Sequence, residues 1–290
     1  MSLSLALNGI IKLLEDGLSK FLFKNTLIKF ILSIDSTLTG EYMLIYEGGE
    51  TMNYCIEVNH LTKIYNGKKV VNDLSLKVQS GEVYGILGHN GAGKTTTIEC
   101  ILGLNVPEEG YAKIWGKEAK KERKILFEKI GVQLQASFYQ DNIKVKEVCE
   151  ETAALYNQPA DYHQLLKQFQ LDEFENHYVE KLSGGEKQKL SVVVALIPQP
   201  KILFLDELTT GLDVLARREA WDILRTLKNQ GMTIVLTTHY MEEAEYLCDH
   251  ILLLKKGQKV IEGTIEEVIN KGQFKNLEEA YLSYMREAKV

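Results

Sequence analysis

Apolar positions between residues 54 and 262 follow two rhythms, and each predicts its own kind of element. Ile56 and Val58, then Leu74, Leu76 and Val78, recur at every second position, as strands with one buried face do. Asn66-Gly67, between two such runs, has hairpin-turn chemistry. Val83-Tyr84-Gly85-Ile86-Leu87, Ile202-Leu203-Phe204-Leu205 and Thr233 to Leu236 are short continuous apolar runs, which predict fully buried strands. Helix is expected over Thr95 to Leu104, over most of residues 140–180, and from Leu190 to Ile197, ending near Pro198. Arg217 to Leu227 predicts a helix with Trp221, Leu224 and Leu227 on one face. Gly110 to Trp115 predicts a further strand, Ile251 to Ile261 a hairpin about Lys256-Gly257, and Leu277 to Met285 an amphipathic closing helix. Strands alternating with helices predict an α/β fold with a parallel sheet and a ligand site at the strands' carboxyl ends. No internal repeat is visible, so one such unit is expected.

Three segments carry chemistry. Gly88-His89-Asn90-Gly91-Ala92-Gly93-Lys94-Thr95-Thr96 lies between a predicted strand and a helix. Its glycines let the backbone wrap closely and aim N–H groups at phosphate oxygens, aided by the helix dipole. Lys94 would reach the β- and γ-phosphates of a nucleotide, and the Thr95 hydroxyl would enter a Mg²⁺ shell. Leu203-Phe204-Leu205-Asp206-Glu207 delivers two acids at a strand's end. Asp206 is expected to hold Mg²⁺, directly or through water, and Glu207 to polarise an attacking water. Leu182-Ser183-Gly184-Gly185-Glu186-Lys187-Gln188-Lys189 opens a helix with a second anion nest. A second nest far from the first makes sense if two copies of the chain complete each other's sites.

With these motifs in this order, residues 54–262 resemble the ATP-binding cassette (ABC) transporter ATPases. The resemblance implies a P-loop NTPase (RecA-like) core with an N-terminal antiparallel β subdomain and a helical signature subdomain at about 137–197. The ATPase domain would span 52–262, with a C-terminal helical tail over 263–290. It further implies that Tyr65 stacks on adenine, and that Gln135 touches Mg²⁺ and water and senses the membrane partner. Gly211-Leu212-Asp213 would cross a dimer interface, and His239 would contact the γ-phosphate and orient Glu207. Three positions depart from the pattern: Glu186 stands for the usual glutamine, and Leu208 and Val214 stand for usual prolines. None is a direct ligand, so activity is expected to survive. Tyr240-Met241-Glu242-Glu243-Ala244-Glu245 followed by Cys248-Asp249, Gln133-Leu134-Gln135 with Phe138-Tyr139, and Leu277-Glu278-Glu279-Ala280-Tyr281 are similar to the drug- and sodium-export branch. That branch pairs with a separate type-2 permease, which implies an integral-membrane partner and a head-to-tail dimer at the cytoplasmic face of the membrane. An import-type cassette is the nearer alternative, and a soluble cassette acting on DNA or ribosomes the more distant one.

Composition narrows this further. A net charge of −6, with no basic block, speaks against a nucleic-acid surface. The four cysteines, Cys55, Cys100, Cys149 and Cys248, lack metal or disulfide spacing and read as buried thiols in a reducing compartment. No run of 18 apolar residues is present, so no membrane span is expected, and no signal peptide is evident. Residues 1–51 carry no motif. Ile10 to Ile34 permits an amphipathic membrane-surface helix. The favoured reading is a translated leader: Glu47-Gly48-Gly49-Glu50 can be encoded by a purine-rich ribosome-binding sequence just before Met52, which would then be the natural start.

Overall fold

The computed structural model describes residues 54–134 and 139–287, and the backbone of Ile45–Glu47 paired antiparallel with Glu50–Met52. The Ile10 to Ile34 segment, the body of the supposed leader, and Gln135 lie outside the described residues.

From Tyr54 the chain builds two sheets. In the smaller, β1 (Tyr54–Tyr65) sits between β2 (Lys68–Gln79) and β4 (Glu109–Ile114), all antiparallel. Asn66 and Gly67, at φ 50° and 76°, make the tight turn that joins β1 to β2. The larger sheet contains β3 (Val83–Leu87), β5 (Ile130–Gln133), β6 (Ile202–Asp206), β7 (Thr233–Thr238), β8 (His250–Lys255) and β9 (Gln258–Thr264). Its spatial order is β9-β8-β3-β7-β6-β5, and every pairing is parallel except the β8–β9 hairpin. The order matters because β7 lies between β3 and β6, so three carboxyl ends from distant parts of the chain adjoin.

The continuous apolar runs are explained by burial on both faces. Val83, Leu203, Leu205, Ile234, Leu236 and Leu253 face one core, with most of the helices. Tyr84, Ile86, Phe204, Val235 and Leu252 point the other way, into a core shared with the small sheet. Each fully buried Leu, Ile or Phe removes enough apolar surface to contribute about 1.5–3 kcal/mol.

Among the described residues the helices are α1 (Lys94–Ile101), α2 (Ala119–Leu126), α3 (Val145–Ala153), α4 (Tyr162–Gln168), α5 (Gly184–Leu196), α6 (Val214–Asn229), α7 (Met241–Leu247), α8 (Ile265–Lys271) and α9 (Leu277–Glu287). Helix α1 is shorter than the expected Thr95 to Leu104, because Gly103 turns left-handed at φ 66°. The mostly helical reading of residues 140–180 is corrected too: α3 and α4 are short, single 3-10 turns lie at Asp172–Phe174 and Val179–Lys181, and turns and loop fill the remainder. Pro159, with no N–H to donate, falls in the break between them. The strand β5 and the helix α2 were not anticipated: β5 has four residues, and α2 is strongly charged. In α6, Trp221, Leu224 and Leu227 are all buried, as its helical spacing requires. Helix α9 returns to pack on α7, where the Leu277 N–H donates to Glu245 at 2.6 Å. All four cysteines are free and buried, and loss of solvent pushes the Cys55 thiol up to about 11 and Cys149 to about 12. No described helix is long and apolar enough to cross a membrane.

Gly131 shows how closely α5 sits on the sheet: a Cβ there would lie 2.2 Å from the Ala195 carbonyl oxygen in α5. Gly131→Ala is therefore expected to destabilise the chain by about 1–3 kcal/mol through overpacking. Urea unfolding checks it, and an unchanged midpoint would show that α5 can shift at no cost.

Candidate active site

The loop between β3 and α1 folds as its glycines require. At Gly93, φ is 106°, and a Cβ would meet the Val70 carbonyl oxygen at 2.6 Å. Gly88 is enclosed as well, with the Leu254 carbonyl oxygen 2.6 Å from where its Cβ would be. The Ala92 N–H donates to the His89 carbonyl at 3.0 Å, and the Gly257 N–H to the Ala92 carbonyl at 2.8 Å, tying the loop to the β8–β9 turn. His89, Asn90 and Gly91 remain exposed at its outer rim.

Lys94 does not extend into solvent. Its side chain is 4% exposed, its Nζ donates to the Gly88 and His89 carbonyls at 2.9 and 3.3 Å, and it pairs with Glu207 at 2.9 Å. Thr95 and Thr96 follow it, half-buried at the start of α1. The Thr95 hydroxyl donates to Asp206 Oδ2 at 2.8 Å, so the loop and the end of β6 are joined twice.

Asp206 is fully buried and Glu207 nearly so. Parallel register places Asp206 opposite Thr237 on β7. The Thr237 hydroxyl donates to Asp206 Oδ1 and accepts the Glu207 N–H at 3.1 Å. His239, just past β7, brings Nδ1 to 3.6 Å from Glu207 Oε1, an ion-pair distance too long for a hydrogen bond. That nitrogen is buried and has no hydrogen-bond partner among the described residues. Burial pushes the Glu207 carboxyl up, but the hydrogen bond and charge of Lys94, with His239 assisting, outweigh it and hold the group below its ordinary value. At neutral pH Glu207 is therefore ionised and able to accept a proton.

The expected residues divide into three groups. Lys94, Thr95, Asp206, Glu207 and His239 converge. Tyr65 stands at the end of β1, 40% exposed, with Lys63 Nζ 5.1 Å from the centre of its ring. Ser183, Gly184 and Gly185 open α5 elsewhere, and among the described residues their polar contacts stay within their own helix. There Glu186 is a cap: its carboxylate accepts the Ser183 N–H at 2.7 Å, while the Ser183 hydroxyl accepts the Glu186 N–H at 3.3 Å. Leu208 is buried, and Val214 is 74% exposed at the start of α6. Reading the sequence for motifs missed Thr237. Its signal was available only in combination, as a hydroxyl at the end of a buried strand that has to lie beside Asp206.

A parallel sheet that brings a glycine-walled lysine and two adjacent acids to one edge makes this a P-loop nucleoside triphosphatase by fold and by site. The ABC transporter family profile matches residues 71–210. A Nod factor export ATP-binding protein I from Burkholderia lata is 38% identical over 219 residues, which are 74% of this chain and 72% of that protein. An uncharacterized ABC transporter ATP-binding protein from Methanocaldococcus jannaschii is 36% identical over 236 residues, 81% of this chain and 84% of that one. Among solved structures, an ATP-binding subunit of an ABC transporter matches with TM-score 0.72 at 27% identity, over 79% of this chain and 99% of that one. A dimeric ATP-binding cassette in a post-hydrolysis state bound to ADP and Pi matches with TM-score 0.65 at 25% identity, over 72% of this chain and 98% of that one. The chain belongs to the ATP-binding proteins of ABC transporters, and it is an ATP-binding ATPase subunit.

Thr237→Val keeps shape but removes the hydroxyl between Asp206 and Glu207. Leaving the buried Asp206 oxygen without that donor is expected to cost about 1–3 kcal/mol in urea unfolding, and hydrolysis should slow. Wild-type stability and rate in this variant would show that the hydroxyl holds neither acid.

Proposed function

We propose that this chain energises the export of a molecule through a separate membrane permease, by closing as a head-to-tail dimer on two ATP molecules and reopening after hydrolysis. The observation that carries the catalytic part is the convergence of Lys94, Thr95, Asp206, Glu207 and His239 at the ends of three adjacent strands. Export is supported by the Burkholderia relative, whose name gives it an export role. The same kinship supports a permease partner and a peripheral place at the cytoplasmic membrane face.

In this reading the backbone N–H groups from Gly88 to Thr96 cradle the phosphates, and Tyr65 supports the adenine. As phosphate enters, the Lys94 ammonium exchanges its two carbonyls and Glu207 for phosphate oxygens. Glu207, released from that pair, takes the proton of the attacking water, and His239 orients it beside the γ-phosphate. In the same reading the role assigned to Gln135 is to touch Mg²⁺ and water and to sense the permease. Thr95 and Asp206 suit Mg²⁺, because a hydroxyl and a carboxylate oxygen meet at 2.8 Å. When bound, it would neutralise charge developing on the phosphates. The exposed Ser183-Gly184-Gly185 turn then binds the γ-phosphate held by the other copy. We assign the ATPase domain to residues 52–262, its helical part to about 137–197 and the tail to 263–290.

Glu207→Gln keeps the shape of the side chain but cannot take a proton. ATP should bind without turnover and hold the dimer closed, which gel filtration with ATP would show. Hydrolysis near the wild-type rate would move the base elsewhere.

Sharing of sites has its own test. Lys94→Ala damages a chain's own loop, and Ser183→Arg blocks the turn that it offers its partner, so each homodimer has two damaged sites. A mixed dimer places both lesions in one site and leaves the other intact. Mixing should restore ATP-dependent closure, with up to one site's hydrolysis. If mixing restores neither while wild type closes, the sites are not shared.

A further inference from the structure

We propose that Glu243 is a positioning residue for Glu207: acting through Thr209, it holds the turn that begins at Glu207 against the helix that follows His239. The inference rests on the reading of Glu207 as the base. Glu243 lies in the first turn of α7 and is only 3% exposed. Its Oε1 accepts two hydrogen bonds, from the Thr209 hydroxyl at 2.8 Å and from Trp221 Nε1 at 2.9 Å. Both donors are 1% exposed, so water does not compete. One oxygen thus joins the turn after β6, the middle of α6 and the helix that starts two residues beyond His239.

The turn requires such an anchor. Glu207 has φ 50°, a left-handed conformation that a side chain with a Cβ adopts only under constraint. Upstream, it is held by the strand pairing of β6 and by Thr237. Downstream, the turn's own bonds are local: the Thr210 N–H to the Glu207 carbonyl at 3.1 Å, and the Leu212 N–H to the Thr209 carbonyl at 3.3 Å. These fix the shape of the turn but not its place. The Thr209–Glu243 bond ties it to a different element, and that element carries the chain on from His239. The two side chains that must meet at 3.6 Å therefore share one frame. Leu208 sharpens the need, since a leucine leaves φ free where a proline would lock it.

A structural role and a positioning role separate because the two donors differ. Thr209→Val removes the bond to the turn, and Trp221→Phe removes the bond to α6. In the full chain, Thr209→Val should lower kcat at least tenfold with KM for ATP within twofold of wild type. Trp221→Phe should lower the melting temperature but leave kcat within twofold. Glu243→Gln keeps an oxygen that can accept both donors and should hold kcat within threefold, whereas Glu243→Leu should behave like Thr209→Val. Should Thr209→Val not fold, Thr209→Ala is judged on the same terms. The inference is overturned if Thr209→Val keeps kcat within twofold while Glu207→Gln is inactive, or if kcat follows melting temperature alone across Thr209→Val and Trp221→Phe. A Glu207→Gln chain that hydrolyses ATP near the wild-type rate removes the base reading itself, and this inference with it.

Discussion

The buried ion pair of Lys94 and Glu207 is the contact on which the rest of the site depends. Two charges 2.9 Å apart, with side chains 4% and 6% exposed, are costly to take out of water. Their mutual attraction and the two loop carbonyls on Lys94 offset that cost. Such a pair adds little net stability, but neither partner can be left alone in the interior. The phosphate loop and the end of β6 are therefore held in register. The same pair keeps Glu207 ionised.

Around that pair, rigidity comes from elements that are far apart in the chain. Sheet order brings β3, β7 and β6 side by side, and each ends at a functional group. Thr237 braces the first acid and the backbone of the second. Every part of this arrangement is built within one copy of the chain. The Ser183 turn takes no part in those contacts and is capped by its own Glu186. The substitution of glutamate for the usual glutamine therefore has a local use, since a carboxylate is a strong acceptor for the Ser183 N–H.

Much of this could be read from residue order. Apolar runs of four or five residues identified β3, β6 and β7, because a strand covered on both faces has no polar position to spare. The Asn66-Gly67 turn and the glycines at 88 and 93 were legible because few other residues accept those backbone shapes. Lys94, Thr95, Asp206 and Glu207 were legible because their chemistry needs fixed spacing next to a strand's end, whereas His239 was legible only through the family resemblance. Less was visible between 140 and 180, where short helices depend on packing rather than on their own periodicity. The strand β5 was hidden for the same reason: four residues are too few to show a rhythm.

The sequence by itself therefore determined the class of the sheet, the phosphate loop and the residue types at the site, all of which are local requirements of backbone geometry and side-chain chemistry. Tertiary structure alone decided that Lys94 would be stored against Glu207, that Thr237 would brace both acids, and that Thr209, Trp221 and Glu243 would meet at one oxygen. Those contacts join residues 30 or more positions apart, or sit where three elements cross. No local pattern encodes them, because they follow from which strands become neighbours and which helices cover them.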